Sequence, residues 1–367
     1  MPILKKIVVQ DFRNIVFQEV AFSPNVNCIS GNNGEGKTNL LDAIYYLSMT
    51  KSAFSAPDRS NWRYGTEGFA IGGTYGMENG LESRFSIKVG ADGKKLVRDD
   101  KPCPRLSGHI GLLPVVMISP SDIALVSDSS EERRRFANAV LSQMSQEYLA
   151  AAQSYTRLLS QRNRILKEGS PDEALLQVFD LKMEASAKTV FEERKRLAED
   201  LQPLVAAYYR QISGGSEEVS IAYKSELSSA PLPQLFAANR QRDLAMGFTT
   251  SGIQRDDFVF SMNGHPIRRA GSQGQQKSFL VALKFSQYEI MKKGYGFPPL
   301  LLLDDVFDKL DLNRISNLVG LVAGSDFGQI FITDTDKARI RGIVDRITED
   351  RAYFNASAGV FTRVDQL

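Results

Sequence analysis

Apolar and polar positions alternate in short runs over the first third of the chain. Ile7-Val8-Val9, the run from Phe17 to Phe22, and Val26 to Ile29 are β-rich segments separated by Asn, Ser and Pro, and they predict strands. Leu40, Leu41, Ile44, Tyr45 and Leu47 recur at helical spacing and predict one helix among them. Phe69-Ala70-Ile71, Phe85-Ser86-Ile87-Lys88-Val89 and Leu96-Val97 form a second strand group, and the Gly-rich turns between them predict an antiparallel edge sheet. Leu112 to Ile118 predicts a buried strand. From Ser130 to Ile212 the texture changes. Gly and β-branched residues thin out, and Leu176, Phe179, Met183, Val190, Leu197, Leu201, Leu204 and Tyr208 recur at helical steps. Gly169-Ser170-Pro171 divides this stretch into antiparallel helices, far too short for a long coiled-coil arm. Strand signals return after Val219; residues 272–293 predict a helix, and Leu300 to Leu303 and Ile330 to Ile332 predict strands. No long repeat or low-complexity tract interrupts the pattern. The expectation is an α/β protein with a mixed sheet and a compact helical-hairpin second lobe, divided at 1–125, 126–230 and 231–367.

Composition adds bounds rather than direction. At 367 residues, 43% hydrophobic and 24% charged, the chain can bury a sizeable core. No apolar run approaches the roughly 18 residues of a membrane span. The start, Met1-Pro2-Ile3-Leu4-Lys5-Lys6, leads straight into a strand and lacks a signal-peptide core. Two cysteines, Cys28 and Cys103, are too few for a disulfide framework or a zinc site, so a cytoplasmic location without a membrane partner is expected. The formal net charge of +2 means that any nucleic-acid binding must use a local basic surface.

Chemistry enters at Gly31-Asn32-Asn33-Gly34-Glu35-Gly36-Lys37-Thr38, which matches the phosphate-loop pattern G-x-x-x-x-G-K-[ST] at every fixed position. It lies between a predicted strand and a predicted helix, where that chemistry needs it. The glycines let successive N–H groups turn toward one anionic centre, and the helix dipole adds positive potential there. Lys37 supplies charge for the β- and γ-phosphates, and the Thr38 hydroxyl suits Mg²⁺. Leu300 to Leu303 then ends in Asp304-Asp305. The first carboxylate is assigned to the metal and the second to the attacking water.

These two halves lie far apart in the chain, a separation typical of ABC-type ATPase heads, SMC proteins among them. Such heads need a signature loop that caps the γ-phosphate of a partner subunit. Ser272-Gln273-Gly274-Gln275-Gln276-Lys277 lies just upstream of the Asp304 strand and resembles the S-G-G-Q core, with Gln273 in place of the first Gly. Phe307-Asp308-Lys309-Leu310-Asp311 takes the place of the D-loop. Thr333-Asp334-Thr335-Asp336 follows the last core strand, where a switch His often stands; with no His here, that role passes to Thr or Asp.

Together these segments resemble the RecF family of bacterial recombination ATPases, nearly end to end. The matching pieces are Asp11-Phe12-Arg13-Asn14, Gly34 to Tyr45, Ser119-Pro120-Ser121-Asp122 with Arg133 to Phe136, Gln161-Arg162-Asn163 with Leu166-Lys167, Ser272 to Gln276, and Leu303 to Val306. Two segments depart from the family. Its G-P-H-R-D-D reads Gly252-Ile253-Gln254-Arg255-Asp256-Asp257, so no role of that His carries over, and its S-F-R reads Ser52-Ala53-Phe54-Ser55. The resemblance implies ATP and Mg²⁺ as cofactors. It implies that Arg13, Gly31, Asn32, Asn33, Gly34, Glu35, Gly36, Lys37, Thr38 and Asn39 hold the nucleotide, with Ser272, Gln273, Gly274 and Gln275 supplied by a second copy. Thr38 and Asp304 would hold the metal, and Asp305 and Lys37 would serve hydrolysis. It further implies an ATP-dependent homodimer on duplex or gapped DNA, slow DNA-stimulated hydrolysis that releases it, and action with RecR and RecO in loading RecA.

Basic residues open to DNA are expected among Arg133, Arg134, Arg135, Arg157, Arg162, Arg164, Lys167, Arg194, Lys195 and Arg196. No base-reading module is apparent. The alternatives are an SMC-type tether, which needs far longer helical arms, a transport ATPase subunit, and a defence ATPase with an added nuclease domain.

Overall fold

The computed structural model describes residues 1–54, 57–78, 80–168, 172–215, 217–307, 314–318, 321, 327–345 and 348–365. The chain forms two compact units: Met1–Ile123 with Gln211–Ser213 and Gln287–Leu367, and Ala124–Arg210 with Gly214–Ser286.

The first unit holds two sheets. One is antiparallel: β1 (Ile3–Phe12), β2 (Ile15–Ala21), β4 (Gly68–Gly76), β5 (Glu82–Gly90), β6 (Gly93–Arg98) and β7 (Lys101–Pro102), in the order β2-β1-β4-β5-β6-β7. β4 alternates strictly between buried and half-buried positions, as a sheet with one covered face requires. The second sheet comprises β3 (Val26–Ser30), β8 (Val115–Ile118), β12 (Leu300–Asp304), β13 (Ile330–Asp334), β14 (Arg351–Ser357) and β15 (Val360–Val364). Its order is β15-β14-β3-β13-β12-β8. All neighbours are parallel except the β14–β15 hairpin. β3, β8, β12 and β13 are buried at every position, which explains why apolar residues run together at 115–118, 300–303 and 330–332.

Helix α1 (Lys37–Met49) packs on β1, β4 and β5 of one sheet and on β8, β12 and β13 of the other. A helix covered on two sides has no wide polar stripe, and Leu40, Leu41, Ala43, Ile44, Tyr46 and Leu47 are all fully enclosed. Tyr46 takes the inner place, with its hydroxyl on Asp58 at 2.6 Å, while Tyr45 is half-buried.

The second unit is more than a helical hairpin. It contains α2 (Ser130–Met144), α3 (Gln146–Lys167), all but the last three residues of α4 (Glu173–Ser213) and the first part of α5 (Gln273–Tyr295), together with an antiparallel sheet of β9 (Val219–Lys224), β10 (Asp257–Met262) and β11 (His265–Pro266). Ser129, Ser145 and Asp172 cap α2, α3 and α4 with side-chain oxygens, and Gly214 closes α4 in the left-handed conformation. Along α4 the covered face follows Leu176, Met183, Val190, Leu197 and Leu201 as expected. Its last turns then bury Val205, Tyr209 and Ile212, leaving Leu204 and Tyr208 half-buried at the margin.

Residues 231–286 were expected in the ATPase core but pack within this second unit. One reason is β10, which pairs with β9 along its whole length. The other is charge. Arg162 on α3 is fully buried and pairs with Asp180 and Asp243, both at 2.8 Å; its Nη1 also reaches Thr249 at 2.7 Å, and its guanidinium lies 4.2 Å from the Phe236 ring centre. Arg194 on α4 donates to the Ile253 carbonyl at 2.8 Å and lies 3.3 Å from Asp256; Arg133 on α2 holds Asp257 at 2.7 Å. Each arginine thus fixes a residue of the 231–286 segment.

These three arginines were expected among the candidates for DNA contact. They are 0%, 4% and 7% exposed, so the structure makes them internal counter-ions instead. Arg157, Arg164, Lys167, Lys195 and Arg196 are exposed. Breaking a buried pair leaves an uncompensated charge. Arg162→Ala is therefore expected to lower unfolding free energy by about 3–5 kcal/mol, against less than about 1 kcal/mol for Arg164→Ala. Urea denaturation of the two variants checks this, and equal stabilities would contradict the counter-ion role.

Candidate active site

The parallel sheet brings its reactive groups together by register. Asp304 at the end of β12 pairs with Thr333 on β13, and Thr333 pairs with Ile29 on β3, two residues before Gly31. The carboxyl ends of three adjacent strands therefore meet in one row, the position where open α/β sheets place ligands. The Thr38 hydroxyl donates to the Asp304 carboxylate at 2.9 and 3.0 Å, and the Thr333 hydroxyl donates to it at 2.7 Å.

Asp304 is 2% exposed. Burial raises its pKa, opposed by the bonds from Thr333 and Thr38 and by the charge of Lys37. Asp305 follows with φ 45°, a conformation that costs a non-glycine residue about 1–2 kcal/mol. Its N–H is held by the Thr333 carbonyl and hydroxyl at 3.3 and 3.1 Å. Thr333 thus touches both members of the acidic pair, and it stands where the sequence placed a switch residue without a His. Asp334 is instead taken up by Arg339 at 2.6 Å.

The phosphate loop has the expected strand–loop–helix setting. Lys37 is buried, and its ammonium is held by the carbonyls of Gly31 and Asn32 at 2.8 and 2.9 Å. Gly36 has φ 101°, a backbone conformation that favours glycine, and it packs against the Asn14 amide. Asn32, Asn33 and Gly34 are exposed at the crest, and Glu35 is half-buried.

Arg13 and Asn39 belong to a network beside the loop. Arg13 pairs with buried Asp42 at 2.7 Å, donates to Asn39 at 3.1 Å and to Asn61 at 3.2 and 3.3 Å, and lies over the Phe12 and Phe54 rings. Asn39 donates to Asn14 at 2.7 Å, and Asn14 reaches the Gly34 carbonyl at 3.4 Å. Burial raises the Asp42 pKa against the opposing pull of Arg13. The structure thus links Arg13 to the loop through side chains. Sequence reasoning missed Asp42, since a polar residue inside an apolar helix carries no label of its own, and Asn61, which lies outside any motif.

Ser272 to Gln275 lie in the second unit. They form a reciprocal capping box: the Ser272 oxygen accepts from the Gln275 N–H at 3.3 Å, and the Gln275 side chain accepts from the Ser272 N–H at 2.7 Å. Ser272 and Gln273 are exposed, and Gly274 is half-buried. The Asp308-to-Asp311 segment lies outside the described residues. Among the described residues, no group of three His, Cys, Asp or Glu could hold a metal. Thr38 and Asp304 form a two-residue donor set. That suits Mg²⁺, which keeps several waters and shares phosphate oxygens.

The pattern common to the RecF, RecN and SMC N-terminal domains matches residues 3–61. Over 97% of its length the chain is 42% identical to the DNA replication and repair protein RecF of Parabacteroides distasonis, covering 98% of that protein. The chain belongs to the RecF family. It is also 38% identical to the RecF of Flavobacterium johnsoniae, over 96% of this chain and 99% of that one. Among solved structures, the recombination mediator RecF-ATP of the RecFOR pathway matches with a TM-score of 0.89 and 28% identity, covering 99% of this chain and 98% of that one. A Pyrococcus furiosus Smc head domain matches at TM-score 0.58 and 15% identity, covering 99% of this chain and 96% of that one; this shows the shared fold alone. The ABC-type ATPase head read from the sequence is thus the fold of this RecF-family chain, and its class is that of DNA replication and repair proteins. No described helix is long and apolar enough to cross a membrane.

Proposed function

We propose that this RecF-family protein binds ATP with Mg²⁺ at Gly31–Thr38, Asp304 and Asp305, and uses it to clamp two copies face to face on duplex or gapped DNA. The observation that carries the reading is the convergence of Thr38 and Thr333 on the buried Asp304 carboxylate beside the Lys37 ammonium. Two hydroxyls and a carboxylate at a strand end, next to a cationic phosphate loop, suit a magnesium triphosphate. Thr38 and Asp304 would hold the metal, which would supply positive charge to offset that of the phosphates. Lys37 and the loop N–H groups bind and orient the phosphates, and Asp305, fixed by Thr333, orients the attacking water and accepts its proton. Arg13 and Asn39 hold the loop in place from the side, through Asn14.

Ser272 to Gln275 of one copy would complete the nucleotide site of the other. The capping box engages the Gln275 N–H, so an anion would meet the N–H groups of Gln273 and Gly274 at the start of α5. DNA would be held through its phosphates, without base reading, by exposed lysines and arginines. Hydrolysis then opens the clamp and sets its lifetime, so slow turnover fits the task. The same reading has the clamp mark gaps where RecR, with RecO, promotes RecA loading. The tether alternative is less well supported, because α3 and α4 are 22 and 41 residues long, short for an arm.

Three outcomes test this reading. Lys37→Ala removes a charge-assisted contact and should weaken Mg·ATP binding by about 10- to 100-fold in an equilibrium titration. Near wild-type affinity would remove Lys37 from its role. Asp305→Asn should bind Mg·ATP normally yet lower single-turnover hydrolysis by about 100-fold or more. Hydrolysis at the normal rate would exclude Asp305 as the water-orienting group.

Ser272→Arg should spare nucleotide binding to a single copy but block closure, and with it hydrolysis. Mixing it with Lys37→Ala creates heterodimers with one intact composite site, formed by the loop of the Ser272→Arg copy and the normal Ser272 of its partner. Activity regained on mixing supports action in trans. Full hydrolysis by Ser272→Arg alone would rule out the signature role.

A further inference from the structure

Glutamate is an odd choice within a phosphate-binding loop, because its carboxylate carries the same sign as the expected ligand. In this chain Glu35 is engaged elsewhere. Its carboxylate accepts a hydrogen bond from the backbone N–H of Ala358, and its main-chain carbonyl accepts one from the N–H of Gly359 at 2.9 Å. Ala358 and Gly359 form the tip of the β14–β15 hairpin, whose last paired residues are Ser357 and Val360. Their φ angles, 50° and 79°, are those of a two-residue type I′ turn.

The tip is wedged in place. Gly359 is buried, and a Cβ on it would stand 2.4 Å from the Asn14 carbonyl oxygen. Gly31, the first residue of the loop, meets the same hairpin: a Cβ there would stand 2.5 Å from the Ala356 carbonyl oxygen. Both near neighbours are backbone, so neither can move aside cheaply.

Peptide geometry turns this contact into a positional constraint. The C=O and N–H of a trans peptide point in opposite directions. Holding the Glu35 carbonyl on Gly359 therefore turns the Gly36 N–H away from the hairpin. The Asn14 side chain holds the preceding carbonyl, that of Gly34, at 3.4 Å. Successive N–H groups arranged this way form an anion-binding nest.

We propose that the Ala358–Gly359 turn is a positioning element of the nucleotide site. It fixes the Glu35–Gly36 peptide before the phosphates arrive and keeps the Glu35 carboxylate occupied. The proposal rests on the reading of Gly31–Thr38 as an ATP site.

The test compares full-length Gly359→Ala, Glu35→Ala and Glu35→Gln with wild type and with Lys37→Ala. Mg·ATP affinity, ATPase KM and kcat, and Tm are measured for each. Gly359→Ala and Glu35→Ala are expected to raise Kd and KM by about fivefold to tenfold, with kcat at saturating ATP within about twofold. Glu35→Gln keeps an acceptor for the Ala358 N–H and should raise Kd and KM clearly less than Glu35→Ala does. Lost stability alone would lower Tm and the active fraction without moving KM.

Wild-type KM in both Gly359→Ala and Glu35→Ala, or tighter binding by Glu35→Ala, overturns the proposal. The ATP-site reading survives that result as long as Lys37→Ala still binds weakly. If Gly359→Ala does not fold, Glu35→Ala against Glu35→Gln decides alone. Failure of wild type to bind Mg·ATP overturns both readings.

Discussion

A carboxylate buried at the end of a parallel strand is the constraint on which the first unit depends. Asp304 is almost fully out of water, where an ionised group needs partners. Its partners are hydroxyls from two other segments, Thr38 at the start of α1 and Thr333 at the end of β13. They can meet only if β3, β13 and β12 lie side by side and in register, as they do. The requirement ties together residues near 38, 304 and 333. It also explains why α1 must lie between two sheets: the helix that presents Thr38 has Leu40, Leu41, Ile44 and Leu47 to enclose.

The network beside the loop applies the same logic to a second charge. Asp42, on the buried α1, is answered by Arg13, whose left-handed φ of 53° places it just after β1. From Arg13 the hydrogen bonds run through Asn39 and Asn14 to the loop carbonyl of Gly34. The hairpin tip at Ala358 and Gly359 adds a second hold, on the next loop residue, Glu35.

What could be read from the sequence was what local pattern dictates. The Gly31–Thr38 loop, the acidic strand end and the capped Ser272-to-Gln275 segment each have a fixed spacing with a physical cause, and a strand such as β12 announces burial by an unbroken apolar run. Less legible was anything set by distant pairing. Arg162, Arg194 and Arg133 look like ordinary helix-surface cations. Only the fold supplies Asp243, Asp256 and Asp257 as partners, and those partners draw residues 231–286 into the second unit. Ala358-Gly359 joins β14 and β15 by a tight turn, yet no local signal says that the turn meets Glu35.

The most direct test of the central claim is the mass of the protein in solution with duplex DNA, measured by light scattering with and without Mg·ATP. One chain weighs 40.7 kDa. Addition of Mg·ATP should produce a protein mass of about twice that on the DNA, and chelation of the metal or exhaustion of ATP should return the smaller species. A protein mass that stays the same whether or not Mg·ATP is present would contradict an ATP-driven clamp.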